Sequence, residues 1–134
     1  MTNLKNKPIY ELSGGQRQRA FLSLALAQDA KTLLLDEPTT FLDLRYQLQF
    51  LDLLKRLNNE HELSIITVIH DLNLAARYCD RIAVIKDGEL LAIDKPREVL
   101  THELLKKAFQ VETCQIETPI GLQICTIKSD ALER

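Results

Sequence analysis

The chain has 134 residues, 46% hydrophobic and 27% charged, with 17 Lys and Arg against 19 Asp and Glu for a net charge of −2. That balance excludes a disordered chain and supplies no positive field to attract nucleic acid. No apolar run approaches the roughly 18–20 residues of a membrane span, and the opening MTNLKNKPIYE lacks the apolar stretch of a signal peptide.

By length alone, one domain is the default. Pro8 discourages a helix in the irregular first twelve residues. Ser13 is a good helix N-cap, and Ala20, Phe21, Leu24, Ala25 and Leu26 give the following segment an apolar face, so a helix is expected from about Gly15 to Gln28. Leu33–Leu35 is a short apolar run ended by two acids and Pro38, the pattern of a parallel strand buried on both faces. Leu44, Leu48, Leu51 and Leu54 then recur at helical spacing over 44–59. Ser64–Ile69 is rich in β-branched residues and reads as a second buried strand. Strand, helix, strand in about forty residues makes a parallel βαβ unit with a right-handed crossover. Asp71 is placed to cap a short helix running through Tyr78, and Asp87-Gly88 between two apolar runs signals a hairpin. Pro96–Leu100 and His102–Phe109 suggest two short helices. Val111–Glu117 and Leu122–Ile127 suggest a terminal hairpin around Pro119-Ile120-Gly121. Cys79, Cys114 and Cys125 have no metal spacing and are expected to be reduced thiols packed as small apolar residues.

Three short segments carry chemistry. Leu12-Ser13-Gly14-Gly15-Gln16 stands at a helix start, where unpaired N–H groups and the helix dipole favour an anion. Its structural alternative is an ordinary cap. Asp36 and Glu37 close the LLL strand, at the edge where open α/β sheets bind ligands. One carboxylate can hold hydrated Mg²⁺ and the other can polarise a water, or the pair is a solvated turn. His70 follows IITVI, where an imidazole can bridge a phosphate and a carboxylate or serve the structure alone. Asp43 opens the second helix, as an acid favoured by the dipole.

Taken together and in this order, LSGGQRQRA, LLLDEPTTFLD and TVIHDL resemble the ATP-binding cassette (ABC) ATPases over essentially the whole chain. LALAQ, HDLNLAARYCDRIAVIKDGEL and PREVLTHELLKKAFQVE narrow the resemblance to ATPase subunits of bacterial iron–siderophore, haem and vitamin B12 importers, with siderophore members nearest. The resemblance implies an α/β fold, the C-terminal part of a P-loop NTPase domain, with a parallel βαβ core, short helices and a terminal hairpin. It implies ATP and Mg²⁺ as cofactors. Ser13, Gly14 and Gly15, supported by Gln16, match the signature that reaches the γ-phosphate on a partner subunit. Asp36 matches the Mg²⁺-anchoring aspartate, Glu37 the general base and His70 the switch histidine. Phe41-Leu42-Asp43 matches the D-loop at the dimer interface, although Thr40 and Phe41 stand where many members have small residues. The implied partners are a second ABC ATPase subunit and membrane permease subunits. Nucleic acid and direct membrane insertion are not expected. The implied location is the cytoplasmic face of the cell membrane, reached through the permeases. A nucleic-acid- or ribosome-associated ABC ATPase, and a non-catalytic half-domain binding a permease or partner ATPase, are the alternative readings.

None of the four glycines, Gly14, Gly15, Gly88 and Gly121, lies in the G-x-x-x-x-G-K-[ST] loop that such ATPases use to cradle phosphates. Residues 1–134 are therefore expected to represent the domain from its signature onward, without the phosphate-loop strand and Q-loop. The chain by itself is expected to be poorly stable, with exposed apolar sheet surface, and inactive as an ATPase.

Overall fold

The computed structural model describes residues 7–129. The chain divides into two compact units with the boundary between Ile69 and His70.

Among the described residues the first unit has a 3₁₀ turn, Ile9–Glu11, and then helix α1, Gly14–Ala27. Strand β1, Thr32–Leu35, leads through α2, Leu44–His61, to β2, Ser64–Thr67. β1 and β2 pair in parallel, with Leu33 opposite Ile65, Leu34 opposite Ile66 and Leu35 opposite Thr67. The expected strand–helix–strand unit is therefore present, with α2 as the crossover. Leu22 of α1, Leu33 of β1, Phe50, Leu51 and Leu54 of α2, and Leu63 are buried. The end of α2 turns through Glu62 in the left-handed region (φ 51°), and Asn58 Nδ2 donates to the Leu63 carbonyl at 2.9 Å.

One expectation is corrected here. The two strands are not buried on both faces. Successive strand residues point to opposite sides, so Leu33 goes into the core while Leu34 is 72% exposed and its register partner Ile66 62% exposed. A parallel pair with one uncovered face is unusual, because parallel sheets are normally covered on both.

The second unit begins with α3, Leu72–Tyr78, followed by the antiparallel pair β3, Ile82–Lys86, and β4, Glu89–Asp94. Asp87 (φ 51°) and Gly88 (φ 81°) both lie in the left-handed region, the requirement of the tight hairpin turn that Asp-Gly favours. Two short helices follow, α4, Pro96–Val99, and α5, His102–Phe109. The terminal hairpin is β5, Val111–Thr118, against β6, Gly121–Ser129. Leu100, Leu105, Leu122 and Ile124 form the core, with Leu72, Ala76 and Ile82 packed against it.

Two polar clasps hold the hairpin to this unit. Asn73 of α3 donates from Nδ2 to the Ile124 carbonyl at 3.2 Å and accepts the Ile124 N–H on Oδ1 at 2.6 Å. From α5, His102 Nδ1 lies 2.9 Å from the Thr113 carbonyl and Nε2 3.2 Å from Glu112 Oε2, while the Lys106 ammonium pairs with Oε1. The Lys106 hydrogen bond, with further attraction from Lys106, His102 and Lys128, holds the Glu112 carboxyl below its ordinary value despite partial desolvation. A second correction concerns the thiols. Cys114 and Cys125 are exposed rather than packed inside, and Cys79 is half-buried.

Two predictions follow from these surfaces. Replacing Leu34 and Ile66 together by Lys removes the uncovered stripe without touching the core. The double variant should keep the parent's circular dichroism and show weaker self-association in sedimentation velocity. For Glu112, the depressed folded value means that its contribution to stability is complete above the ordinary carboxylate range and disappears as pH falls through the folded value. Lys106→Met should move the Glu112 titration, followed by carboxyl NMR, upward, and should narrow the gap between acid-induced and neutral stability.

Candidate functional site

Ser13 caps α1. Its Oγ accepts the Gln16 N–H at 3.3 Å, and Gln16 Oε1 accepts the Ser13 N–H at 3.1 Å, a reciprocal capping box. This occupies two donors of the helix start and leaves the amides of Gly14 and Gly15 outside the box. The cap uses a lone pair of the Ser13 hydroxyl, so its proton can still be donated. A Cβ on Gly14 would meet nothing within 4 Å, whereas one on Gly15 would reach Leu42 Cδ2 at 3.7 Å and Tyr46 Cδ1 at 3.9 Å. The packing thus makes no demand for glycine at position 14. Its smallness keeps the mouth of the helix open.

Gly15 thus lies beside Leu42 and Tyr46, which places the start of α1 near the start of α2. Between the two helices lies a cleft of about 420 Å³, lined among others by Gln18, Arg19, Tyr46 and Gln49. Asp43 caps α2, with Oδ1 accepting the Tyr46 N–H at 3.0 Å.

Asp36 and Glu37 stand exposed at the C-terminal end of β1. Glu37 has φ 44°, a left-handed conformation that costs a non-glycine residue of order 1–3 kcal/mol. That turn takes the second acid out of strand alternation. Pro38 and Thr39 are buried behind it. The Thr40 hydroxyl donates to Glu37 Oε2 at 3.0 Å, and Gln47 of α2 donates from Nε2 to the Thr39 carbonyl at 3.0 Å. The acidic turn is therefore braced by its own threonine and by α2.

His70 is exposed at the first position of the second unit. β2 ends at Thr67, two residues earlier than the sequence pattern suggests, although Val68 N–H still reaches the Leu35 carbonyl at 2.9 Å. Asp71 caps α3 by accepting the Asn73 and Leu74 N–H groups at 2.8 and 2.9 Å.

The first unit brings Asp36, Glu37 and Thr40 into one turn, and sets Ser13–Gln16 at the head of a helix packed near the cap of α2. Sequence reasoning identified these acids and missed the bracing by Thr40 and Gln47. A threonine three residues after a turn carboxylate was the available signal for Thr40. Gln47 offered none. The exposed carboxylate of Asp36, with that of Glu37 beside it, suits Mg²⁺, which keeps several waters and takes one or two carboxylates together with substrate phosphates. Among the described residues no cluster of three or more His, Cys, Asp or Glu could hold a metal by itself. The donors present therefore suit the carboxylate side of a Mg²⁺–nucleotide site. The backbone cradle for the phosphates has no counterpart in this sequence.

The fold is that of the C-terminal part of an ABC-type ATPase domain. It is similar to an inward-facing metal-chelate type ABC transporter, with TM-score 0.82 at 27% identity, covering 95% of this chain and 51% of that one. A dimeric ATP-binding cassette in a post-hydrolysis state, bound to ADP and Pi, superposes with TM-score 0.63 at 38% identity, covering 72% of this chain and 41% of that chain. The model of the ABC transporter family matches residues 1–40. In sequence the chain is homologous to siderophore-import ATP-binding proteins. It is 46% identical over 93% of its length to the petrobactin import ATP-binding protein FpuD of Bacillus anthracis, and 46% identical over 89% to the iron(3+)-hydroxamate import ATP-binding protein FhuC of Bacillus subtilis. These alignments cover 46% and 44% of the relatives, so the chain spans about half the length of the curated proteins it matches. No helix among the described residues is long and apolar enough to cross a membrane.

Asp43 offers a direct test of the α2 cap. Asp43→Ala should destabilise the chain by about 1 kcal/mol, the usual cost of an N-cap, while Asp43→Asn should restore most of that loss in urea unfolding.

Proposed function

We propose that this chain supplies the signature and carboxylate portions of an ATPase that drives an ABC importer of iron–siderophore complexes. The observation that carries the reading is the pairing of two features in one unit: a capped, glycine-opened helix start in LSGGQ, and a carboxylate turned out of the end of a parallel strand in LLLDE. The siderophore cargo rests on the relatives' names.

In this reading Glu37 accepts a proton from the hydrolytic water, with Thr40 on Oε2 restricting the carboxylate's rotation. Asp36 would hold Mg²⁺. Ser13 Oγ–H and the Gly14 and Gly15 amides receive the γ-phosphate of a nucleotide held by a second ATPase subunit. Gln16 keeps Ser13 in place through the capping box, Asp43 opens the helix at the subunit interface, and His70 contacts the γ-phosphate. Bound Mg²⁺–ATP provides the electrophilic phosphorus and charge neutralisation. The phosphate cradle comes from a different polypeptide segment. The assembly works with permease subunits at the cytoplasmic face of the membrane.

The test is a chimera in which residues 1–134 replace the matching segment of the petrobactin import ATP-binding protein FpuD, assembled with that protein's permeases. The chimera should hydrolyse Mg²⁺–ATP and support petrobactin uptake. Glu37→Gln in the chimera should lower hydrolysis by about 10²–10⁴-fold, the contribution of a positioned general base. A folded, ATP-binding chimera without hydrolysis would refute the catalytic assignment. The 134-residue chain alone should show no sustained turnover, and steady hydrolysis by the monodisperse chain would refute the division of labour.

A further inference from the structure

Two of the three cysteines face each other across the terminal hairpin. In the β5–β6 ladder Cys114 is the register partner of Cys125. Both are exposed, and neither is in a disulfide. Directly opposed residues of an antiparallel pair share a face, with Cα atoms about 4.5–5.5 Å apart. A disulfide spans Cα separations of about 4.4–6.8 Å. The pair can therefore close without moving the backbone far.

Packing accounts for neither thiol. The inward face of this hairpin is made by Thr113, Leu122 and Ile124, all buried. Free cysteine is among the most buried of residue types when it serves as a small apolar group. Here two cysteines stand on the solvent side, opposite one another, where a small reagent can reach them.

We propose that Cys114 and Cys125 form a reversible cross-strand disulfide, with a low-molecular-weight disulfide as the oxidant. The thiolate of one cysteine attacks that disulfide. Its S–S bond breaks, one small thiol leaves, and a mixed disulfide remains on the protein. The second cysteine's thiolate then attacks the protein sulfur of the mixed disulfide and expels the other small thiol. The protein pair is oxidised by two electrons, the oxidant is reduced to two thiols, and the two cysteine protons end on the released thiols. A small dithiol reverses each step.

The position of the bond gives it a structural consequence. Cys125 follows Ile124, whose N–H and carbonyl are clasped by Asn73 of α3. Cys114 follows Thr113, whose carbonyl meets His102 of α5. The disulfide would tie the two strands between the two clasps by which the hairpin grips its helices. It would stiffen the support of α3, the helix that follows His70.

The experiment uses the unaltered 134-residue chain in oxidised or reduced glutathione, with free thiols trapped by alkylation. Tryptic peptide 108–128 contains both cysteines, and cleavage after Glu117 separates them unless they are bonded. In oxidised glutathione the two fragments should stay joined and lose both alkylation sites. Dithiothreitol should release them, and the oxidised chain should unfold at a higher urea concentration than the reduced one. Cys114→Ser should instead carry a stable glutathione adduct on Cys125. Alkylation of both thiols after oxidation, persistent adducts on both in the unaltered chain, or links that run to Cys79 or between chains would each overturn the proposal.

Discussion

The parallel pairing of β1 with β2 is the constraint on which the first unit depends. Parallel neighbours cannot be joined by a tight turn, so the chain must leave the sheet and return through a crossover. α2 is that crossover, and its Phe50, Leu51 and Leu54 are buried in the same unit as Leu33. The C-terminal end of β1 then lies at the edge where the chain exits, and Asp36 and Glu37 occupy it. The apolar cost of the arrangement is visible on the other face, where Leu34 and Ile66 meet water. A strand pair that is half covered has strong packing on one side and an unmet demand for cover on the other.

Helix starts provide the second organising element. Ser13, Asp43, Asp71 and Thr101 each accept backbone N–H groups of the helix that follows. The same physics that ends a loop and begins a helix also sets the residues around it. Ser13 holds Gln16 and is held by it, which leaves Gly14 and Gly15 at an open helix mouth. Asp71, directly after His70, fixes the start of α3. In this protein a residue's structural and proposed chemical roles are therefore compatible rather than competing. A capping oxygen uses its lone pairs on the helix, and its proton, or the amides beside it, face outward.

Much of this was legible in the amino-acid order, because it rests on interactions between near neighbours. The Asp87-Gly88 turn follows from the need for two left-handed residues, and the span from Asp71 to Tyr78 follows from a cap and a helical period. The order LSGGQ, LLLDEP and TVIHDL disclosed the class of protein. Other features left no local trace. The bracing of the acidic turn by Gln47 joins residues 39 and 47 only because α2 packs beside that turn. The Asn73–Ile124 clasp joins positions 51 apart. The end of β2 at Thr67 rather than Ile69 reflects where β1 stops offering partners, a property of the pair and not of either strand.

The sequence by itself determined the helix caps, the hairpin turns, the strand–helix–strand order and which residues are proposed to handle a nucleotide, since each depends on residue type and on spacings of a few positions. Only the tertiary structure decided which face of β1 is covered, how Glu37 is braced, where the hairpin is clasped, and that Cys114 stands opposite Cys125. The physical reason is register. A shift of one residue in a ladder exchanges the inward and outward faces of a strand, and register is set by packing between segments that no local pattern connects.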